Sequence, residues 1–262
     1  MTHDPEVFSS DGTAIHFETT GRGAPALVFV HGWLGNGRWW DAQRDQFAAS
    51  YQVVTIDLAG HGGSGASRTV WSIARYADDI RAVLDDLRAA QVVLVGHSMS
   101  GPNVLAAAAG RADVIGVVLV DTMKNLDRVM PAEQVQQMLE LYRTDYRRAV
   151  EDVLPNYLYS PFTPGPVRER IQREFLAAPA GLAVLAIEPL YKGDLRAIAA
   201  QVRVPVRGIN SDVEPLDPSI NRKYFHDYDA VAIAQVGHYP MLEKPAEFNR
   251  ALEQCLGAMR AA

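Results

Sequence analysis

Cysteine is nearly absent from this chain of 262 residues, which contains only Cys255. A single cysteine excludes a disulfide within the chain, so the cytoplasm is the expected compartment. No run of eighteen apolar residues occurs, and the sequence therefore predicts no membrane span and no membrane partner. The opening segment, residues 1–6, is polar and lacks the basic and apolar parts of a signal peptide.

Blocks of like charge and grouped metal ligands are missing as well. The chain has 25 Lys and Arg against 31 Asp and Glu, a net charge of −6 at pH 7. This scattered, mildly acidic balance offers no basic patch and excludes nucleic acid as an expected partner. The seven histidines are dispersed, no His-Glu-x-x-His segment occurs, and Cys255 lies on an apolar helical stripe. No metal and no other cofactor is expected.

Apolar residues make up 48% of the chain, enough for one large core. They form six short runs separated by helical patterns: residues 26–30, 51–56, 92–95, 114–120, 202–209 and 230–236. Runs without alternation are typical of strands buried on both faces. The sequence therefore predicts an α/β fold with a mostly parallel, doubly wound sheet flanked by helices.

One region interrupts this alternation. Residues 124–196 show helical periodicity broken by seven prolines, with no apolar strand pattern. A helical insertion between two strands of one sheet is expected to lie over the carboxyl edge of that sheet. The sequence thus predicts a core formed by residues 1–123 and 197–262, with residues 124–196 as a helical cap.

A serine with a glycine two residues before it and another three residues after it follows the third apolar run and precedes an alanine-rich helical stretch. The segment 96–101 reads GHSMSG, with Ser98 where a sharp strand-to-helix turn would expose a nucleophile. Ser100 stands where the usual pattern of such a nucleophile elbow has glycine. For this motif alone, an ordinary turn with Ser98 as the helix N-cap is the alternative interpretation.

The first apolar run ends at His31, and Gly32 and Trp33 follow. A tight turn here can direct the backbone N–H of Trp33 to the space above Ser98. The N–H of Met99, next to the serine, is the second candidate donor. Two such donors would form an oxyanion hole for an acyl-transfer intermediate. We interpret His31 as a brace for this loop.

A histidine follows the last apolar run. His238 is thereby expected at the same sheet edge as Ser98, as its general base. The third member of the catalytic triad should lie between them in the order Ser, Asp/Glu, His. Asp212, after the penultimate run, is the preferred acid, and Glu214 and Asp121 are the alternatives.

Together these motifs resemble the α/β-hydrolase superfamily. The resemblance rests on VHGW at 30–33, DLAGHGGS at 57–64, GHSMSG at 96–101 and GHYPMLEKP at 237–245. The chain is similar to the small branch that contains esterases, lactonases, cofactor-free haloperoxidases and carbon–carbon bond hydrolases. The resemblance implies an α/β-hydrolase fold with a cap, serine-esterase chemistry of the carboxylesterase kind, and a structural role for residues 57–64.

Residues 60–65 also match the dinucleotide fingerprint GxGxxG. That fingerprint requires a helix to begin within the glycines, so that its N-terminus meets the pyrophosphate. Here the loop continues, and helical periodicity starts only at Ile73. No nucleotide site is expected.

The prediction is a serine hydrolase that cleaves a carboxylic ester, lactone or thioester of a small, largely apolar substrate through an acyl-enzyme on Ser98. One histidine and four tyrosines are expected in its pocket: His97, Tyr142, Tyr146, Tyr157 and Tyr239. The alternatives are a carbon–carbon bond hydrolase, a small-molecule receptor with slow turnover, and a cofactor-free dioxygenase in which His238 acts with Asp121. The expected partner is a small molecule, and the sequence does not define the oligomeric state.

Overall fold

The structure is a computed structural model that describes residues 6–260. The expectation of no signal peptide rests on residues 1–6, which lie outside the described residues apart from Glu6. Within the described range the chain forms one eight-stranded sheet in the order β1-β2-β4-β3-β5-β6-β7-β8. The strands are β1 (Glu6–Phe8), β2 (Ala14–Thr20), β3 (Ala26–Val30), β4 (Gln52–Ile56), β5 (Val92–His97), β6 (Val114–Val120), β7 (Val206–Ser211) and β8 (Tyr228–Ile233).

The sheet is mostly parallel, as predicted. Strands β3 to β8 pair in parallel, whereas β1 with β2 and β2 with β4 pair in antiparallel fashion. The sequence patterns did not predict β1 and β2. In β2 only Ile15 and Phe17 are buried apolar side chains, and polar residues alternate with them, so this strand forms no continuous apolar run.

The last two strands lie a few residues away from the predicted runs. β7 begins at Val206, after Pro205, because proline has no N–H to donate to a strand ladder. It then continues beyond the apolar run to Ser211. β8 ends at Ile233 and has several exposed residues because it forms the edge of the sheet.

Helices cover both faces of the sheet and fill the long connection between β6 and β7. They are α1 (Asp41–Phe47), α2 (Ile73–Leu87), α3 (Ser100–Ala108), α4 (Ala132–Thr144), α5 (Tyr146–Arg148), α6 (Pro155–Leu158), α7 (Gly165–Ala177), α8 (Ala180–Lys192), α9 (Leu195–Ala199), α10 (Pro218–Asn221), α11 (Pro240–Glu243) and α12 (Pro245–Arg260). A 3₁₀ turn covers Gly37–Trp40, and a π-helical turn covers Ala149–Val153.

Helices are present where the sequence shows helical periodicity from Ile73 and an apolar helical stripe around Cys255. In α2 the stripe from Ile73 to Leu84 is buried, and Ser72 caps the helix by accepting a hydrogen bond from the N–H of Arg75. In α12 the stripe from Phe248 to Met259 is buried and includes Cys255. Burial raises the pKa of the Cys255 thiol to about 11, which favours the unreactive protonated form.

Helices α4 to α8 lie within the segment predicted as a cap, and α9 crosses its predicted end at residue 196. The status of this segment as a separate unit stays a prediction. Among the described residues, no single helix is long and apolar enough to cross a membrane. Helices α7 and α8 reach that length and composition only when taken together, and their axes differ by 107°.

Candidate active site

The predicted nucleophile elbow is a sharp turn between β5 and α3. Ser98 has a left-handed backbone with φ 52°, a conformation that side chains other than glycine rarely adopt. Its N–H donates to the carbonyl of Val120, and its own carbonyl accepts from the N–H of Gly101. Ser100, which replaces the usual glycine, is fully buried and donates its hydroxyl to the carbonyl of His31. The extra hydroxyl is therefore satisfied, and the turn is retained.

His238 lies between this serine and a buried carboxylate. Its Nε2 is 2.7 Å from Ser98 Oγ, and its Nδ1 is 2.7 Å from Asp121 Oδ2. An ionised carboxylate only accepts hydrogen bonds, so Nδ1 carries the proton. Nε2 is then free to accept the hydroxyl proton of Ser98. These three side chains form one continuous hydrogen-bonded chain.

The carboxylate that contacts His238 belongs to Asp121. Our prediction that Asp212 would make this contact was wrong. Asp121 follows β6 directly and has a left-handed backbone with φ 47°. Asp212 follows β7, but it is exposed, and both of its carboxylate oxygens accept from the N–H of Gln235 at 3.0 Å. The carboxylate of Asp212 therefore caps the turn after β8.

Glu214, the second alternative, also lies away from His238. Its carboxylate is exposed and forms an ion pair of 2.8 Å with Arg128. Both residues lie on the wall of the large cavity described below. Of the three acids considered from the sequence, the structure brings only Asp121 to the histidine.

Asp121 is held in its charged form by its surroundings. Its other oxygen, Oδ1, accepts from the N–H of Ser211 at 2.6 Å and from Lys124 Nζ at 2.7 Å. Burial raises the pKa of a carboxyl group. At Asp121 the hydrogen bond and charge of His238, together with Lys124, outweigh burial and hold the pKa well below its usual value. Sequence reasoning missed both Ser211 and Lys124, and no motif marks either.

The predicted oxyanion-hole donors flank the serine on its other side. Gly32 approaches closely, since a Cβ there would lie 2.5 Å from Nδ1 of His97 and 3.1 Å from Cβ of Ser98. Only glycine allows the turn that carries Trp33 to come this near. Within residues 6–260, the backbone N–H groups of Trp33 and Met99 donate to no protein acceptor. Both are therefore available to an oxygen atom of a ligand.

His31 and His97 are buried and act as supports. His31 Nε2 accepts from the N–H of Leu58 at 3.1 Å, and its Nδ1 lies 2.7 Å from the carbonyl of Gly32. His97 Nε2 lies 2.8 Å from the carbonyl of His238, so it donates to that oxygen. Burial, together with the neighbouring His238, lowers the pKa of His97 to about 3, and burial also lowers the pKa of His31. Both imidazoles are thus neutral scaffolding for the turn and for the histidine loop.

The loop that carries His238 is attached to the predicted cap. The N–H of His238 donates to the carbonyl of Leu158 at 2.8 Å. The carboxylate of Glu243 accepts from the N–H of Gly237 at 2.8 Å and from the hydroxyl of Thr163 at 2.7 Å. A Cβ at Gly237 would lie 2.6 Å from the Leu158 carbonyl oxygen. We call these contacts the loop clasp.

An inner cavity of about 210 Å³ is lined by Ser98. Its walls are mostly apolar and include several aromatic rings. Among these, the ring of Trp33 packs against those of Tyr142 and Phe175, with centroids 5.2 Å apart in each pair. Gln134 contributes the only side-chain amide of its lining. A small apolar group suits this enclosure.

A larger outer cavity of about 690 Å³ is also lined by Ser98 and His238. Charged residues line its walls: Asp121, Lys124, Arg128, Lys192, Asp194, Arg196 and Glu214. The catalytic candidates therefore lie where a small apolar cavity meets a wider, more polar one.

The structure places four of the five predicted pocket residues at these cavities. His97, Tyr142 and Tyr239 line the inner cavity, and Tyr157 lines both. Tyr146 lines neither cavity, so that prediction was wrong. Its hydroxyl donates to the carbonyl of Phe175 at 2.7 Å and joins α5 to α7, a packing role that its aromatic type alone does not reveal.

The glycines at 60–65 form a loop around a carboxylate. Asp57 accepts from the N–H groups of Gly37 and Gly63, and a Cβ at Gly62 would collide with the Asp57 carboxylate. The next helix, α2, begins only at Ile73, so no helix N-terminus meets these glycines. The match to the dinucleotide fingerprint is therefore a structural turn. No cluster of three metal-ligating side chains occurs among the described residues.

Comparison with known proteins adds a family to this geometry. A model of the alpha/beta hydrolase family matches residues 27–251. A non-heme chloroperoxidase from Kitasatospora aureofaciens is 37% identical over 98 residues, 37% of this chain, and the match spans only 35% of that protein's length.

Two solved structures share the fold along almost the whole chain. An esterase from Exiguobacterium antarcticum has a TM-score of 0.86 at 20% identity, covering 97% of this chain and 100% of that one. An enol-lactonase from Burkholderia xenovorans LB400 has a TM-score of 0.82 at 23% identity, with coverage of 97% and 100%. At these identities the likeness shows the fold alone.

Proposed function

This chain belongs to the alpha/beta hydrolase family, and from that premise we propose that it is a serine hydrolase acting on a carboxylic ester or lactone of a small, largely apolar compound. The observation that carries the proposal is the hydrogen-bonded chain from Ser98 through His238 to Asp121. This chain lies at the junction of the two cavities. The names of the esterase and enol-lactonase neighbours agree with the proposal.

In the proposed reaction, Ser98 Oγ attacks the carbonyl carbon while His238 Nε2 takes its proton. The oxyanion accepts from the N–H groups of Trp33 and Met99, each worth roughly 3 kcal/mol of transition-state stabilisation. His238 then protonates the leaving oxygen. Water, activated by the same imidazole, releases the acid from Ser98, and Asp121 stabilises the imidazolium throughout.

The two cavities suggest how the substrate is oriented. The inner cavity is small and mostly apolar, so we place the acyl or aryl group there. The leaving alcohol then occupies the wider outer cavity, whose charged walls tolerate polar groups. We keep the cytoplasm as the proposed compartment, because the chain has a single cysteine.

A panel of p-nitrophenyl esters of increasing acyl length, with lactones alongside, tests the proposal. We expect kcat/KM to rise with chain length until the inner cavity is filled and then to fall. Ser98→Ala should lower kcat on the best ester by about 10⁶-fold, since the residues of a triad act as a unit. A fluorophosphonate probe should label the wild-type protein on Ser98.

Ser219→Ala is the matched control, because Ser219 is an exposed serine on α10 whose hydroxyl contacts only Asp217 among the described residues. It should retain wild-type turnover and labelling. Near-normal turnover by Ser98→Ala, or equal labelling of the two variants, would contradict the proposal.

One observation favours a second candidate, a cofactor-free dioxygenase in which His238 and its acid deprotonate a heteroaromatic substrate. That observation is the position of the acid, since Asp121 follows β6 and contacts the histidine. For this function, oxygen consumption should persist in Ser98→Ala and disappear in Asp121→Ala. The serine hydrolase requires both residues, so the same pair of variants separates the two functions.

A further inference from the structure

The carboxylate of Asp121 is shared between two groups that can carry positive charge. His238 Nδ1 contacts Oδ2, and Lys124 Nζ contacts Oδ1, each at 2.7 Å. Lys124 also donates to Ser211 Oγ at 2.8 Å, and the N–H of Ser211 donates to the same Oδ1 at 2.6 Å. The Asp121 side chain is 3% exposed and that of Lys124 is 20% exposed. The ammonium group is therefore a fixed part of the site.

The loop that carries Lys124 is anchored independently of these charges. The side chain of Asn221 is fully buried, donates to the carbonyl of Met123 at 2.7 Å and accepts from the N–H of Leu126 at 3.0 Å. Met123 has a left-handed backbone with φ 49°. Since this turn is held on both sides of Lys124, its ammonium group stays next to Asp121.

We infer that Lys124 is a positioning residue that orients Asp121 and shifts to lower pH the range in which His238 acts as a base. This inference rests on the proposed function of the site. Both cations contact one carboxylate group, so they lie close together, and like charges at short range disfavour each other's charged form. The ammonium thus opposes proton uptake by His238, while its ion pair and Ser211 fix the carboxylate in place.

Other titratable groups face the histidine but do not have this contact. His97 packs against its ring, and burial lowers the pKa of His97 to about 3. Tyr239 also packs against it, and burial raises the pKa of that phenol well above its usual value. Both groups therefore keep one charge state across neutral pH.

The remaining charged groups nearby are engaged elsewhere. Glu243 accepts from the backbone of the histidine loop, and Glu174 accepts from the indole N–H of Trp39. The other charged residues of the outer cavity have partners of their own. Arg128 pairs with Glu214, and Lys192 pairs with Glu188. Asp194 caps α9, and Arg196 donates to the carbonyls of Leu126 and Asp127. Among residues 6–260, Lys124 is the only lysine or arginine paired with Asp121.

The test is the pH dependence of kcat/KM on a neutral p-nitrophenyl ester between pH 5 and pH 9. The ascending limb reports proton loss from the base in the free enzyme. In Lys124→Met this limb should move to higher pH by about one unit. The plateau at high pH should change by only a few fold. Lys124→Arg keeps the charge and should bring the limb back towards the wild-type position.

Lys223→Met is the matched control, because it removes a lysine from an exposed ion pair with Asp127. Its limb should stay at the wild-type pH. A Lys124→Met enzyme that loses activity equally at every pH, with its limb unmoved, would overturn the inference and leave Lys124 a structural residue. If Lys124→Met does not fold, Lys124→Gln is the second uncharged variant.

A measurement without turnover separates this inference from the proposed function. NMR of isotope-labelled histidines, with the His238 signals assigned by their loss in His238→Gln, follows protonation of the ring directly. A shift of about one pH unit between wild type and Lys124→Met supports the role of Lys124 even if no ester is cleaved. Ester turnover without such a shift overturns the role of Lys124 and leaves the hydrolase proposal intact.

Discussion

Strands β6 and β7 are parallel neighbours, and an aspartate follows each of them directly, yet only one aspartate reaches the histidine. Asp121 is buried and contacts His238, whereas Asp212 is exposed and contacts the N–H of Gln235. The N–H of Asp121 donates to the carbonyl of Ile209, so the end of β6 lies beside Ile209. β7 continues for two residues beyond Ile209, to Ser211. A residue that directly follows a parallel strand thus lies at the carboxyl edge of the sheet. Which of these residues reaches His238 depends on the length of its strand and on its local backbone conformation.

The sharpest test of this comparison is Asp121→Asn beside Asp212→Asn. Asparagine keeps the shape of aspartate and tolerates a left-handed backbone, so the turn should persist. The amide removes the charge that stabilises the imidazolium and the acceptor that sets its tautomer. We expect kcat on the best p-nitrophenyl ester to fall about 10⁴-fold. Circular dichroism checks the fold, and a fall of less than tenfold would contradict the assignment of Asp121.

A second, smaller difference concerns stability in acid. The pKa of Asp121 is lower in the folded protein than in the unfolded chain, so its carboxylate contributes stability above the unfolded value of about 4. That contribution is lost as the pH falls below about 4 towards the folded value. Between pH 5 and pH 3 the wild type should lose about 1 kcal/mol more than Asp121→Asn in the free energy of unfolding. Urea titrations of both proteins at the two pH values measure this difference. Equal losses of unfolding free energy in the wild type and Asp121→Asn would contradict a charged Asp121.

The smallest effect is expected at Asp212→Asn. The amide oxygen can still accept from the N–H of Gln235, and the residue is exposed. The kcat/KM for ester hydrolysis should stay within about twofold of wild type, and the free energy of unfolding should change by less than about 1 kcal/mol. A large loss of activity with intact folding would restore Asp212 as a candidate for the catalytic acid.

Much of the fold could be predicted, because its information is local. The continuous apolar runs and the 3.6-residue stripes depend on burial, which the structure bears out in β3 to β6, α2 and α12. The elbow was readable because the left-handed turn at Ser98 leaves a sequence pattern, with small residues at 96, 100 and 101. The antiparallel β1 and β2 were missed because polar residues alternate along β2, at the edge of the parallel sheet.

The rest of the site depends on contacts between distant segments. Asp121 and Asp212 occupy equivalent positions after strands, and the choice between them depends on hydrogen bonds to Ser211 and Gln235. The backbone of its loop places Lys124 next to Asp121. The side chain of Asn221, which lies 97 positions further along the chain, anchors that loop. No local pattern records such pairings, so the acid remained open until the structure brought the segments together.

The loop clasp opposes any outward movement of the segment predicted as a cap. The backbone bond from His238 to Leu158 and the bond from Thr163 to Glu243 join the cap to the loop that carries the base. If this side of the cap swung outward, it would release the imidazole from its place beside Ser98. We therefore expect residues 158–163 to stay in place if the predicted cap opens, and under the proposed function we expect substrate to enter through the outer cavity.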